Sequence, residues 1–192
     1  MIKTNENERR EFFRIEDEVY LEYEVISEEE YNTAPDTLSN LNNSSFSLSA
    51  DFATLNNNIH PVLNNIKQLH PEIGEYLEFI NTKIDSLSQL LLCNETSFDE
   101  NRVTLANISA SGIMFETDKP LENNQLLKLE LVLLPEKIGI LIFGKVVKVN
   151  TLKEKNSVSV EFEHIRYEDQ ELMIKHNLNK QMSDLREKND NN

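Results

Sequence analysis

Residues 102–117 read RVTLANISASGIMFET, and the parsing of the whole chain turns on them. Segments 102–108 and 113–117 are rich in branched and aromatic side chains, which suit a pleated, half-buried surface. Ala110-Ser111-Gly112 supplies turn residues between them, so the stretch predicts two strands joined by a turn. Three segments of the same texture follow at 126–134 (LLKLELVLL), 140–149 (ILIFGKVVKV) and 157–163 (SVSVEFE). Polar or turn-forming residues separate them: Glu122-Asn123-Asn124, Pro135-Glu136-Lys137 with Gly139, and Lys153-Glu154-Lys155-Asn156. Upstream, residues 19–27 (VYLEYEVIS) alternate, with Val19, Leu21, Tyr23 and Val25 on one face and Tyr20, Glu22 and Glu24 on the other. Six strands at this spacing predict a small antiparallel β-barrel, a mainly β fold with added helices.

The helices come from two other regions. Glu28, Glu29 and Glu30 end the first strand, and residues 32–45 are dominated by Asn, Ser, Thr, Pro and Asp, a loop or a lead-in to a helix. From Phe52 the apolar residues fall at Leu55, Ile59, Val62, Ile66, Leu69, Ile73, Tyr76, Ile80, Ile84, Leu87 and Leu91. Steps of three and four, with one stutter at Tyr76–Ile80–Ile84, describe a helical seam of coiled-coil type. Proline costs little at a first helical position, and Glu72 and Glu75 would lie in the turn after Pro71, where the helix dipole favours acids. The break therefore belongs at Pro71, giving helices over 48–69 and 71–92 folded as a hairpin. Pro61 is either a kink or a second start, and one kinked helix over 48–92 stays open. The seam over residues 52–91 is either the core of that hairpin or a contact between copies of the chain. Tyr167–Glu187 reads as a closing helix, with acids in its first turn and Arg186 and Lys188 at its end. The expected organisation is a discontinuous barrel domain (1–30 and 99–187) around a helical insertion (31–98), with a disordered tail at 188–192.

Composition narrows the function. The 192 residues carry 34 acidic against 19 basic side chains, a net charge of −15, which opposes DNA or RNA binding by a basic surface. No run of 18 apolar residues occurs; the longest candidate, 126–149, is broken by Lys128, Glu130, Glu136, Lys137, Lys145 and Lys148. The start, MIKTNENERREFF, has no apolar signal-peptide core, and the single Cys93 forms no internal disulfide, so a cytoplasmic location is expected. His60, His70, His164 and His176 lack metal-ligand spacing, and no GxSxG, P-loop or dinucleotide fingerprint is present. The expectation is a protein that is not an enzyme and needs no cofactor or metal.

Two clusters remain. Of six arginines, three lie in Arg9-Arg10-Glu11-Phe12-Phe13-Arg14, with Arg10 and Arg14 in RxxxR spacing. Guanidinium is planar and always charged, pairs bidentately with phosphate and stacks on bases. The cluster is either a local anion site or a solvated terminus balancing Glu8, Glu11 and Glu16. The other cluster is Asn107-Ile108-Ser109-Ala110-Ser111-Gly112, an NxSxxG string. Its Asn and Ser offer short donors and acceptors and Gly112 permits a backbone bend, although the same residues serve an ordinary hairpin turn.

Taken together, RxxxR before the first barrel strand and [Asp/Asn]xSxxG at a later turn resemble the PilZ domain family, six-stranded β-barrels that bind the bacterial messenger cyclic di-GMP. RREFFRI ahead of an alternating strand, LANISASGIMFET, LLKLELVLLP, and VSVEFE before a C-terminal helix extend the resemblance over 1–27 and 99–187. It implies that Arg10 and Arg14 contact guanine and phosphate with Arg9 in support, that Asn107 and Ser109 grip a guanine edge, and that Gly112 shapes the turn. Losing Arg10 or Arg14 would then weaken binding. Residues 31–98 depart from the common pattern and resemble a subset of the family whose inserted heptad helices serve self-association. Some members of such subsets have lost the arginine motif and bind no nucleotide, whereas this chain keeps both motifs. The implied function is a cyclic di-GMP receptor whose arginine arm orders on the ligand and alters contact with a protein partner. The alternative is an oligomeric adaptor acting through the insertion.

Overall fold

Period-two alternation in the β segments becomes a closed barrel because one face of every strand is apolar. The computed structural model describes residues 13–41, 44–95, 102–152 and 155–190. Its strands are β1 (Ile15–Val25), β2 (Val103–Ser109), β3 (Gly112–Thr117), β4 (Leu126–Leu133), β5 (Ile138–Leu152) and β6 (Lys155–His164). The helices are α1 (Glu28–Asn32), α2 (Ala34–Ser39), α3 (Ser45–Leu69), α4 (Pro71–Glu95) and α5 (Tyr167–Asp190). Around the barrel the order is β1-β2-β3-β6-β5-β4, every pair antiparallel, with β4 closing on β1. Val19, Ile108, Leu129, Leu131, Ile140, Ile142 and Val158 fill the interior, and Met173 of α5 enters the same cluster.

β1 starts four residues before the expected 19 and stops two before the expected 27. Ile15, Asp17 and Val19 are all buried and continue the inward phase, but a carboxylate at an apolar position hides that phase from a hydrophobicity pattern. At the other end Ser27 leaves the strand to cap α1. Its Oγ accepts from the Glu30 amide at 3.2 Å, and the Glu30 carboxylate accepts from the Ser27 amide at 3.0 Å. The three glutamates that end the strand are therefore the first turn of a helix, on the side where the dipole favours them.

The insertion is a helical hairpin, and Pro71 is its break. α3 runs through Pro61 without ending, and α4 begins on Pro71 after a non-helical His70. The root of the hairpin is pressed on the barrel: Phe46 and Leu92 pack on Tyr20 and Val132, and the Gly139 amide donates to Ser49 Oγ at 2.9 Å. A Cβ on Gly139 would fall 2.6 Å from Phe46 and 2.8 Å from Leu92, so glycine is what lets β5 approach both helices. Beyond the root the contact between the helices includes Asn56 Nδ2 donating to Asp85 at 2.7 Å and a Lys67–Glu78 ion pair at 2.6 Å. Eleven large apolar residues between Leu55 and Leu91 stay exposed, Leu69 and Tyr76 at 68% and 64%. Most of the seam read from the heptad spacing is therefore not consumed by the hairpin.

α5 continues to Asp190, three residues into the segment expected as a tail; residues 191–192 lie outside the described ones. Among the described residues no helix is long and apolar enough to cross a membrane.

Candidate ligand-binding site

The β1–β2 ladder brings Arg14, the last residue of the arginine cluster, to the second cluster. Ile15 pairs with Ile108 and Glu16 with Asn107, so the antiparallel register carries Arg14 to the level of Ser109, at the mouth of the β2–β3 turn. Arg14 is half-buried there. Arg9 and Arg10 lie outside the described residues, five and four positions upstream of Arg14. Asn107, half-buried, pairs with Met114 across β3, and Ser109 pairs with Gly112 to close the turn over Ala110 and Ser111. The structure thus brings Arg14, Asn107, Ser109 and Gly112 to one end of the barrel.

Their roles in the turn differ from the sequence expectation in two respects. Ser109 is fully buried; its Oγ donates to the Gly112 carbonyl at 3.2 Å and accepts from the Ser111 amide at 3.4 Å. The hydroxyl is a staple inside the turn and does not face outward. Gly112 does not occupy a left-handed conformation, so backbone bending is not what selects it. A Cβ there would lie 2.6 Å from the Val160 carbonyl oxygen, and glycine is required by the approach of β3 to β6.

α5 lies against both halves of this site. Gln170 Nε2 donates to the Ala110 carbonyl in the turn at 3.0 Å. Further along the helix, His176 Nε2 meets Asp17 Oδ2 at 2.7 Å and Lys180 Nζ meets Asp17 Oδ1 at 3.0 Å. Asp17, only 4% exposed, sits three residues after Arg14 on β1. Burial alone would raise its pKa, but the hydrogen bonds and charges of His176 and Lys180 outweigh that and hold the carboxyl below its ordinary value. Ahead of α5, Arg166 grips Asp169 with Nε at 2.9 Å and Nη2 at 2.7 Å, and its Nη1 reaches Asp51 of α3 at 3.2 Å. Sequence reading missed Asp17, Gln170 and Lys180. The available signal was an acid in the inward phase of Ile15-Asp17-Val19, which has to find a partner.

Two other features border the site. A groove of about 530 Å³ separates α5 from the hairpin root and the β4–β5 turn. On the barrel wall Tyr31 Oη donates to Glu163 at 2.6 Å, and burial with that carboxylate pushes the phenol pKa up. Among the described residues no group of three or more His, Cys, Asp or Glu is placed to hold a metal ion.

Residues 86–178 match the family model of the PilZ domain. These residues form a PilZ domain. The match runs from the end of α4 through β2–β6 into α5, leaving out β1, which the helical insertion separates from the other PilZ strands. Among solved structures the chain is similar to a Xanthomonas campestris protein described as a tetrameric PilZ domain self-assembled through a helical bundle. Identity is 11% over 91% of each chain with a TM-score of 0.55, a likeness of fold across nearly the whole length. It is also similar to the Bacillus subtilis inhibitor of motility (MotI/DgrA), at 24% identity and a TM-score of 0.39. That match covers 42% of this chain and spans 42% of the length of the Bacillus protein. Comparison with curated proteins found no match.

Proposed function

We propose that this PilZ protein is a non-enzymatic receptor for cyclic di-GMP, in which ligand orders the N-terminal arginine arm and thereby changes contact with a protein partner. The supporting observation is the register of β1 on β2, which sets Arg14 at the turn that carries Asn107, Ser109 and Gly112. In this reading Arg10 and Arg14 bind phosphate and guanine with Arg9 in support, and Asn107 takes a guanine edge. Ser109 joins it only if its hydroxyl leaves the Gly112 carbonyl; otherwise it serves the ligand by holding the turn. A dianionic purine ligand suits guanidinium groups on a segment that can fold over a rigid barrel end. A cytoplasmic location belongs to the same reading. Calorimetry on the intact chain tests it: charge-assisted hydrogen bonds contribute about 1.5–3 kcal/mol each, so Arg10→Ala or Arg14→Ala should weaken binding about tenfold or more. Equal affinity in the variants would remove the arginines from the site.

A second reading rests on the hairpin. Eleven exposed apolar side chains along two 25-residue helices are enough to supply the roughly 800 Å² per partner of a standard interface. Pairing with another copy of the chain would bury them in a helical bundle, the mode of assembly reported for the Xanthomonas protein. The two readings are compatible, the barrel sensing and the hairpin assembling.

A further inference from the structure

We infer that α5 is the positioning element of the ligand site and the link from that site to the helical hairpin, an inference that rests on the receptor reading above. The two halves of the site stand on different parts of the chain, Arg14 ahead of β1 and the turn between β2 and β3. One helix is fastened to both. Gln170 holds the Ala110 carbonyl and, six residues on, His176 holds Asp17 with Lys180 on its other oxygen. Six residues of α-helix span about 9 Å, so α5 bridges the turn and the strand that Arg14 leads into as a stiff rod. Met173, fully buried in the barrel core, seats the rod on the barrel between these two attachments. None of these α5 residues needs to touch ligand. They brace from α5 the seat of Arg14 that the β1–β2 register sets at the turn.

The same helix is tied to the insertion. Arg166 bonds Asp51, and Lys175 Nζ donates to Asn57 Oδ1, both acceptors lying on α3. Between these ties and the hairpin lies the 530 Å³ groove, bordered by Phe52, Asn56, Asp85, Asn179 and Ser183. A ligand that draws Arg14 toward the turn loads Asp17 and Ala110 together, and both loads fall on α5. The groove gives the helix room to shift relative to α3, and α3 carries four of the eleven residues of the exposed apolar stripe. Ligand state would thus reach the assembling surface without any contact between ligand and hairpin.

The test titrates the full-length chain with cyclic di-GMP, reading affinity by calorimetry and amide exchange by mass spectrometry over 45–57. Wild type should bind, and exchange over 45–57 should change at least threefold on binding. Gln170→Ala should bind at least fivefold more weakly at an unchanged melting temperature, a loss that a purely structural role would not produce. Asp17→Asn, if it folds, should also bind at least fivefold more weakly, with a lowered melting temperature. Asp51→Asn combined with Asn57→Ala should bind within twofold of wild type yet lose the exchange response. Wild-type binding without a response over 45–57, or wild-type affinity in Gln170→Ala, would overturn the role of α5 and leave the receptor reading standing. Absence of binding by wild type would overturn both.

Discussion

Barrel and hairpin are both rich in branched and aliphatic residues, and they treat them in opposite ways. In the barrel the apolar phase of each strand turns inward, and Leu127, Leu131, Leu133, Ile140 and Ile142 have no exposure at all. In the hairpin the heptad positions Leu55, Ile59, Val62, Leu69, Ile73 and Tyr76 are all more than half exposed. A closed sheet satisfies every strand edge and its own core, so it is complete as a unit. Two helices cannot enclose a core between them, and what they leave uncovered is surface for another molecule. The difference separates a part of the molecule whose apolar face is enclosed from a part whose apolar face stays open.

Three measurements can break or sharpen that contrast. The largest effect is expected in the barrel: Leu131→Ala should cost about 2–5 kcal/mol in urea denaturation, as cavities in closed cores do. Leu55→Ala, at a residue 59% exposed, should cost about 0.5 kcal/mol or less in the dissociated chain. Equal losses would mean that the hairpin is a core after all. Next comes assembly. Ile59→Asp with Ile84→Asp should raise the dissociation constant of the self-associated chain at least 100-fold, about 2.7 kcal/mol, by sedimentation, and leave barrel stability alone. A wild-type chain that sediments as a monomer at every concentration would end the self-assembly reading.

The third measurement concerns the polar contact that joins α5 to β1. Asp17 has a lowered pKa in the folded chain, so its contribution to stability is present above its unfolded value near 3.8 and fades as pH falls through the folded one. Asp17→Asn should therefore cost about 1–2 kcal/mol at pH 7 and progressively less below pH 4. A deficit that stayed constant down to pH 2 would show that the carboxylate charge is not what holds α5.

What could be read from the sequence was local. The alternation of β4 and β6, the turn at 110–112 and the helix start at Pro71 each depend on neighbours within a few residues, and each appears where expected. The start of β1 was masked because Asp17 is polar in an apolar phase, and α1 because Glu28–Glu30 read as terminators until Ser27 is seen to cap them. Long-range facts were out of reach. Nothing in a one-dimensional pattern pairs Asp17 with His176, 159 residues away, or sets β1 against both β2 and β4 across the insertion. At the candidate site, spacing chose Arg14, Asn107, Ser109 and Gly112, and the fold gathers them. That Ser109 turns its hydroxyl inward, and that Gly112 answers to Val160 on a distant strand, are consequences of packing that spacing does not encode.

The central claim is that the arginine arm and the β2–β3 turn form one nucleotide site, and calorimetric titration of the intact protein with cyclic di-GMP tests it most directly. The account predicts saturable binding by wild type and affinity at least tenfold lower in Arg14→Ala. No saturable binding by wild type, or the same affinity in Arg14→Ala, would contradict it.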